Sequence, residues 1–469
     1  MSDSTADLQD NTLNAMLNKS VGPLIIKMAV PTIISMMVTA IYNMADTFFV
    51  SKLGTSASGA VGITFSIMAI IQAFGFTVGM GSGSILSRKL GARNIKSADE
   101  FCSTGIITAF VTGTVIAILG VRFNGWIVTH LGATVTIAPY ARDYARFILL
   151  GAPFMVTSFV MNNQLRFQGK AAFSMVGLTL GGILNIILDP IFIFVFNLGI
   201  SGAAIATLIS QIVSFSILLS WFLRRKTSTT LSPKNLSHNP KVYLEIFKQG
   251  LPSLLRQGLA SVSTILLNVT AARYGALAAA GMAADVISHS ADAAVAGMSI
   301  TNRVFMFIMS IAIGLGQGFQ PVCGMNYGAK RYDRVRASYM FLIKVTTSVM
   351  SIFTIIVLLF APQIIQAFRN DPEVIAMGRV AMRWQGLFLP LHSVIFGTNM
   401  LLQTTGMAKQ ASLLSSMRQG LYFIPLIWIL PLCFGLFGVQ IAQGTSDFLT
   451  ACTSLPFAIQ FFRGLKKAD

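Results

Sequence analysis

Charge is scarce in this chain. Asp, Glu, Lys and Arg make up only 11% of its 469 residues, against 54% hydrophobic ones, and the mean hydropathy is +0.71. That balance lies outside the range of soluble globular proteins and points to a chain that lives in lipid. Cysteine is scarce as well. Cys102, Cys323, Cys433 and Cys452 fall in or at the ends of apolar segments without CxxC spacing, which argues against a disulfide framework or a zinc site and leaves them as small buried hydrophobes. Neither HExxH nor GxSxG occurs, and the four histidines, at 130, 238, 289 and 392, are scattered, so an intramembrane hydrolase has no cluster to work with. The glycine runs GFTVGMGSGS and GLGQGFQP follow no strand and lead into no GKS/T; close helix packing explains them better than phosphate binding. Residues 1–20 carry Asp3, Asp7 and Asp10 and no basic run before an apolar core, unlike a cleaved secretion signal, and are read as a cytosolic tail.

What the chain has in abundance is long apolar runs. Segments of roughly 20 residues, each able to cross about 30 Å of hydrocarbon as a helix, recur through the chain. They cover residues 24–50, 57–86, 101–123, 140–165, 171–197, 202–223, 243–273, 291–320, 338–361, 374–404, 411–436 and 438–462. The runs are apolar on nearly every side, which a barrel strand with a polar inner face is not. The expected fold is an all-α integral membrane protein of about twelve transmembrane helices.

The net charge of +18 resembles that of a nucleic-acid binder only in total. Its cations cluster after even-numbered segments, at Arg88, Lys89, Arg93 and Lys96, at Arg166 and Lys170, at Arg224, Arg225, Lys226, Lys234 and Lys241, at Lys330, Arg331, Arg334 and Arg336, and at Arg463, Lys466 and Lys467. That pattern places these loops and both termini in the cytoplasm. It implies attraction to anionic membrane lipid and no nucleic-acid partner.

The chain is also written twice. GMGSGSILSRKLGAR at 79–93 falls on GQGFQPVCGMNYGAK at 316–330, and Pro153, Asn162 and Gly169 fall on Pro390, Asn399 and Gly406, all at a shift of 237. Upstream, Pro31 meets Pro252 and Gly54 meets Gly275 at a shift of 221, so the second copy carries sixteen additional residues just after Gly275. Each copy holds an even number of spans, so the two are parallel repeats about a cleft, a transporter design. The expected organisation is an N-lobe at 21–225, a polar cytosolic hinge or linker at 226–241, a C-lobe at 242–463 and a short cytosolic tail at 464–469. Within the insertion, Asp285 and His289 are read as a solvated loop pair.

Duplication supplies an internal control, because packing residues recur whereas lobe-specific chemistry need not. Asp46 falls opposite Leu267, and Asp189 opposite Leu430 when Pro190 is set on Pro431. With Asp447 they are the acids well inside spans, where an ionised Asp costs about 2.5–3.5 kcal/mol and therefore faces water, a partner or a proton. Asp46 and Asp189 are read as proton carriers; Asp447 stands equally as a brace or a carrier. Asn185 shares a helical face with Asp189, and Tyr42 with Asp46. Pro190 is expected to bend its helix and free the Ile186 carbonyl, which with Asp46, Asp189 and Asn185 would also suit a sodium ion. Pro31 is a bending point of the first span. Polar residues able to line a cleft are Tyr144, Asn162, Asn163, Gln164, Thr207 and Gln211 in the first copy, and Arg256, Gln257, Asn268, Gln317, Gln320 and Asn399 in the second.

These residues resemble a known family, the multidrug and toxic compound extrusion (MATE) transporters, in the DinF- or MepA-like branch. The motifs that carry the resemblance are NMADTFFVSKLG at 43–54, NIILDPIFIF at 185–194, GISGAAIATLISQ at 199–211 and TNRVFMFIMSIAIGLGQGFQPVCGMNYGAKR at 301–331. The resemblance implies a monomeric inner-membrane antiporter, not an enzyme, that expels small amphipathic and often cationic compounds. It would use a proton or sodium gradient and no cofactor. It further implies that Asp46 and Asp189 couple the ion through a network of Tyr144, Asn185 and Thr207, that Asn162 faces substrate and that Pro31 bends helix 1. A lipid-linked precursor flippase with about fourteen spans and a cationic cleft, and a membrane enzyme acting on lipid-linked substrates, are the alternatives.

Overall fold

A computed structural model describes residues 3–282 and 284–465, with side chains from residue 11 onward except that of Asp285. Lys466 and Lys467, and the Asp285 half of the expected Asp285–His289 pair, lie outside the described residues. In chain order the helices are α1 (Asp3–Asn18), α2 (Val21–Ser51), α3 (Thr55–Gly91), α4 (Ile95–Arg122), α5 (Asn124–His130), α6 (Ala138–Phe167), α7 (Ala171–Pro190), α8 (Gly199–Leu223), α9 (Pro240–Ala278), α10 (Ala284–Gly328), α11 (Tyr332–Phe368), α12 (Pro372–Leu387), α13 (His392–Thr404), α14 (Ala408–Ser416), α15 (Phe423–Phe434) and α16 (Leu436–Leu465). No strand occurs among the described residues. Nine spans among them are long and apolar enough to cross a bilayer; α9, α12 with α13, and α16 occupy the three remaining segments, consistent with twelve spans.

Two of these spans change their winding midway. α7 passes at Pro190 into a π-helical turn, Ile191–Val195, so the missing proline N–H is absorbed by widening the helix rather than by breaking it. Met417–Tyr422 forms a second π turn between α14 and α15. α2 stays helical through Pro31, with Thr32, Ser35 and Thr39 each donating a hydroxyl to the carbonyl four residues back, a pattern that promotes gentle bending.

The chain divides into two compact units. The first comprises Met1–Leu254, Gln317–Val335 and Thr404–Gly406; the second comprises Leu255–Gly316, Arg336–Gln403 and Met407–Asp469. The first unit thus takes in the start of α9 and the end of α10, which the repeat assigns to the second copy. Its glycines explain why. A Cβ on Gly81 would overlap the Ile246 carbonyl, and one on Gly250 the Thr77 carbonyl; likewise Gly91 lies on the Met325 carbonyl and Gly328 on that of Arg88. The two glycines of each pair serve one helix crossing from both sides, and a hydrogen is the largest group that fits.

The polar stretch 226–241 is not a free hinge, correcting the expectation from its composition. Its backbone N–H groups are spent on fixed acceptors: Ser228 on Gln168 Oε1 at 2.7 Å, Thr230 on Asp99 Oδ1 at 2.7 Å and Ser237 on Thr104 Oγ1 at 3.1 Å. Thr227, Ser228 and Thr229 are buried. The linker is a strap on α4 and α6, because a Ser/Thr-rich segment with nearby side-chain acceptors satisfies its backbone there as well as in water.

The insertion after Gly275 is largely helical. α9 runs on to Ala278 and α10 begins at Ala284, so the added residues lengthen both helices. Their hairpin is tight, since the Ser290 hydroxyl donates to the Gly275 carbonyl at 3.1 Å. His289 pairs with Glu373 at 3.0 Å and Asp371 at 3.6 Å, at the start of α12, rather than standing in a solvated loop.

Gly91→Ala is expected to destabilise the protein by about 1–3 kcal/mol or more through backbone overlap. Gly62→Ala, which would meet nothing within 4 Å, should leave the thermal unfolding midpoint in detergent unchanged or slightly raised.

Candidate functional site: two carboxylates in the first unit

Four helices of the first unit bring the expected coupling residues together. Asp46 on α2 accepts a hydrogen bond from the Tyr144 hydroxyl of α6 at 3.0 Å. On α7, Asn185 Nδ2 donates both to Asp189 Oδ1 at 3.0 Å and to Thr207 Oγ1 of α8 at 3.2 Å. All five side chains are buried. Asp46 and Asp189 are close enough to act on one another electrostatically, and Thr207 acts on the Tyr144 hydroxyl, so the two halves form one network.

The network is incomplete in a specific way. Asp46 Oδ1, Asp189 Oδ2 and Asn185 Oδ1 are buried and make no hydrogen bond. Among the described residues every donor that reaches the two carboxylates is neutral, so none of them cancels their charge. Buried acceptors without partners cost about 1–3 kcal/mol each, more when charged. The arrangement therefore favours a small positive species, and an all-oxygen set suits a proton or a hard cation. Beside it lies a cavity of about 20 Å³, room for about one water. Tyr42, Ser158, Asn185, Thr207, Gln211 and Ser214 are among its lining residues. Gly182 makes the space, since a Cβ there would press on Tyr42 and Val38 at 3.1 Å.

Other expected cleft residues are placed differently. Asn162 Nδ2 donates to the Ser174 carbonyl at 3.0 Å and to the Ser174 hydroxyl, tying α6 to α7. Its repeat partner Asn399 does the same twelve residues on, donating to the Ala411 carbonyl at 2.9 Å. A contact that recurs in both copies is a brace, so Asn162 is not presented to substrate in this conformation. Asn163 is likewise engaged, with the Phe159 carbonyl at 2.7 Å and with Arg166. Gln211 does line the cavity. In the second unit Arg256 Nη1 and Asn268 Oδ1 have no hydrogen-bond partner, and Gln257 is half-buried next to Arg256 on α9. Gln317 is buried on α10.

Asp447 has a different fate. Arg418 Nε, on the second π turn, donates to its Oδ1 at 2.7 Å, Gln443 Nε2 donates to the same atom at 3.0 Å, and His392 Nε2 lies 3.4 Å from Oδ2. Arg418 and His392 were not singled out by sequence, although an arginine seven residues into an apolar run is itself a signal. Ser158, Ser210 and Ser214, buried hydroxyls without partners, gave no such signal because Ser is common in packed membrane helices.

The MatE family signature matches residues 31–191 and 284–429. The chain belongs to the MatE family of transporters. It is 28% identical over 393 residues to the multidrug export protein MepA of Staphylococcus haemolyticus, covering 84% of this chain and 83% of that protein. Among solved structures, a MATE transporter in complex with MaL6 superposes with a TM-score of 0.89 at 27% identity, over 97% of this chain and 99% of the other. An outward-facing MATE multidrug resistance transporter of the MOP superfamily gives 0.87 at 27% identity, over 96% and 98%. The MatE chain described here is therefore a multi-pass membrane transporter for multidrug efflux, handling small organic compounds, and not an enzyme.

Replacing Asn162 or Asn399 by Ala should each lower thermal stability by about 1–2 kcal/mol, the cost of an orphaned brace, with efflux per folded molecule unchanged. A loss of dye affinity without a loss of stability would return Asn162 to the substrate cleft.

Proposed function

We propose that this MatE transporter powers efflux by antiport, taking up a proton or a sodium ion at Asp46 and Asp189 in exchange for an amphipathic, commonly cationic compound. The observation that carries this reading is the pair of buried carboxylates held only by neutral donors, each with one oxygen unpartnered. Uptake of one positive charge lowers the cost of that uncompensated site. A proton on the unpartnered Oδ1 of Asp46 leaves Oδ2 as a neutral acceptor, so the hydrogen bond from Tyr144 weakens from charge-assisted to neutral, and α2 is held less tightly along the bend-prone stretch around Pro31. Alternating access follows if a shift of α2 changes the cavity at Tyr42 and Gln211. The unpartnered Asn185 Oδ1 beside the two carboxylate oxygens supports sodium as a second reading.

The basic loops after even-numbered spans support cytoplasmic termini in a bacterial-type plasma membrane. A monomer is proposed, each chain supplying all five residues of the network.

Efflux of a fluorescent cationic dye from reconstituted vesicles, under an imposed proton gradient and separately a sodium gradient, tests the reading. Asp46→Asn and Asp189→Asn should each reduce gradient-driven efflux to the rate without a gradient while folding and dye binding persist. Normal coupling in both variants would make the pair a structural brace.

A further inference from the structure

The second unit holds a buried titratable cluster that antiport at Asp46 and Asp189 does not use. Three segments supply it: His392 opens α13, Arg418 sits on the π turn Met417–Tyr422, and Asp447 lies on α16. The His392 and Asp447 side chains are 1% and 2% exposed, and that of Arg418 20%. His392 owes its position to the second copy's own geometry. At Pro153, α6 stays helical, whereas at its repeat partner Pro390 the chain breaks into a 3₁₀ turn, Leu389–Leu391, from which His392 starts a new helix.

The hydrogen bonds around the imidazole conflict. Nδ1 lies 3.2 Å from the Phe388 carbonyl oxygen, which can only accept, so Nδ1 carries a hydrogen. In the neutral ring Nε2 is then a bare acceptor. It receives Arg418 Nη2 at 3.3 Å, yet the same nitrogen stands 3.4 Å from Asp447 Oδ2, acceptor against acceptor. A proton on Nε2 reverses both relations: the ring donates to Asp447 and turns an N–H toward a guanidinium that has only donors. One nitrogen between an arginine and a carboxylate satisfies one neighbour in each protonation state. In a site this dry both conflicts are expensive.

We propose that His392 is a second proton-binding site of the transporter, whose protonation exchanges its partner from Arg418 to Asp447 and displaces the π turn that carries Arg418. The proton adds from water to the Nε2 lone pair and leaves by the same bond. Arg418 already neutralises Asp447, so the event adds one net positive charge to the second unit.

The surroundings limit what else takes part. Among the described residues the π turn brings Arg418 to His392 and α16 brings Asp447, the two charged side chains within reach of its Nε2. Beside it on its own helix, Ser393 is met by the neutral Thr347 of α11 at 2.8 Å. Phe396, whose ring lies 5.7 Å from the imidazole, belongs to an apolar cluster with Phe305, Ile308 and Met309 of α10. A π turn is a place where a helix can re-pair its backbone. This one is held from both sides, as the Ser446 hydroxyl donates to the Arg418 carbonyl and the Ser263 hydroxyl of α9 to the Gln419 carbonyl at 2.7 Å. Movement of Arg418 is thereby passed to α9 and α16.

The proposal does not rest on coupling at Asp46 and Asp189. With only four histidines in the chain, nitrogen-15 NMR of the histidine-labelled protein in detergent resolves the site, His392→Gln identifying its signal. Across the pH range in which the protein is folded, the signal should pass from that of the neutral Nδ1–H tautomer to that of a ring with a hydrogen on both nitrogens. This titration should persist in the Asp46→Asn, Asp189→Asn double variant, and Arg418→Gln and Asp447→Asn should displace its midpoint in opposite senses. A His392 that stays neutral, or carries its proton on Nε2, at every pH where the wild-type protein is folded would overturn the proposal, and that measurement needs no variant beyond the assigning one. Loss of the titration in the double variant would equally overturn it as an independent site.

Discussion

A carboxylate taken out of water must be met by a donor, a cation or a proton, and this protein meets that demand in two ways. In the first unit Tyr144 and Asn185 supply neutral hydrogen bonds to Asp46 and Asp189, leaving charge uncancelled and one oxygen of each group free. In the second unit Arg418 and Gln443 converge on one oxygen of Asp447. Truncating one partner of a fully compensated buried pair is costly, whereas an undercompensated pair lowers its energy by accepting a positive ion. The same residue type is thus left with an unpartnered oxygen and only neutral donors in one unit and is held by an arginine in the other. What separates them is whether an arginine reaches the carboxylate.

Helix shape places these groups. The π turn after Asp189 and the π turn carrying Arg418 both fall where an ionisable side chain projects from a membrane helix, a common location for such turns. Elsewhere the helices are drawn together by glycines whose Cβ positions are occupied by backbone carbonyls of the facing helix. Without a hydrophobic force between helices in lipid, such close approach is the main source of cohesion. It is paired with braces like Asn162 to Ser174 that the second copy repeats at Asn399.

Much of this was legible in the chain before folding was considered. Apolar run length marked the spans, the shift of 237 marked the repeat, and the absence of Asp46 and Asp189 from the second copy marked them as special. The engagement of Asn162 with Ser174 was not legible, because a polar residue inside a span reads alike whether it faces a cavity or a neighbouring serine. The linker misled for a related reason: Ser and Thr at 227–229 look solvated, yet Gln168, Asp99 and Thr104 offered their backbone fixed acceptors. The form of the insertion was not legible in the chain, because small residues suit a loop and a helix alike; both flanking helices extend into it, as alanine, the best helix former, allows.

Sequence by itself determined the membrane class, the duplicated plan and the identity of the three intramembrane acids, because hydropathy, period and residue type are properties of the chain taken in order. Only tertiary structure decided which acid is paired and which is left open, since Arg418 and His392 stand 29 and 55 positions before Asp447 in the chain. Charge compensation is a matter of a few ångströms in space, and the order of residues along an apolar chain does not encode that distance.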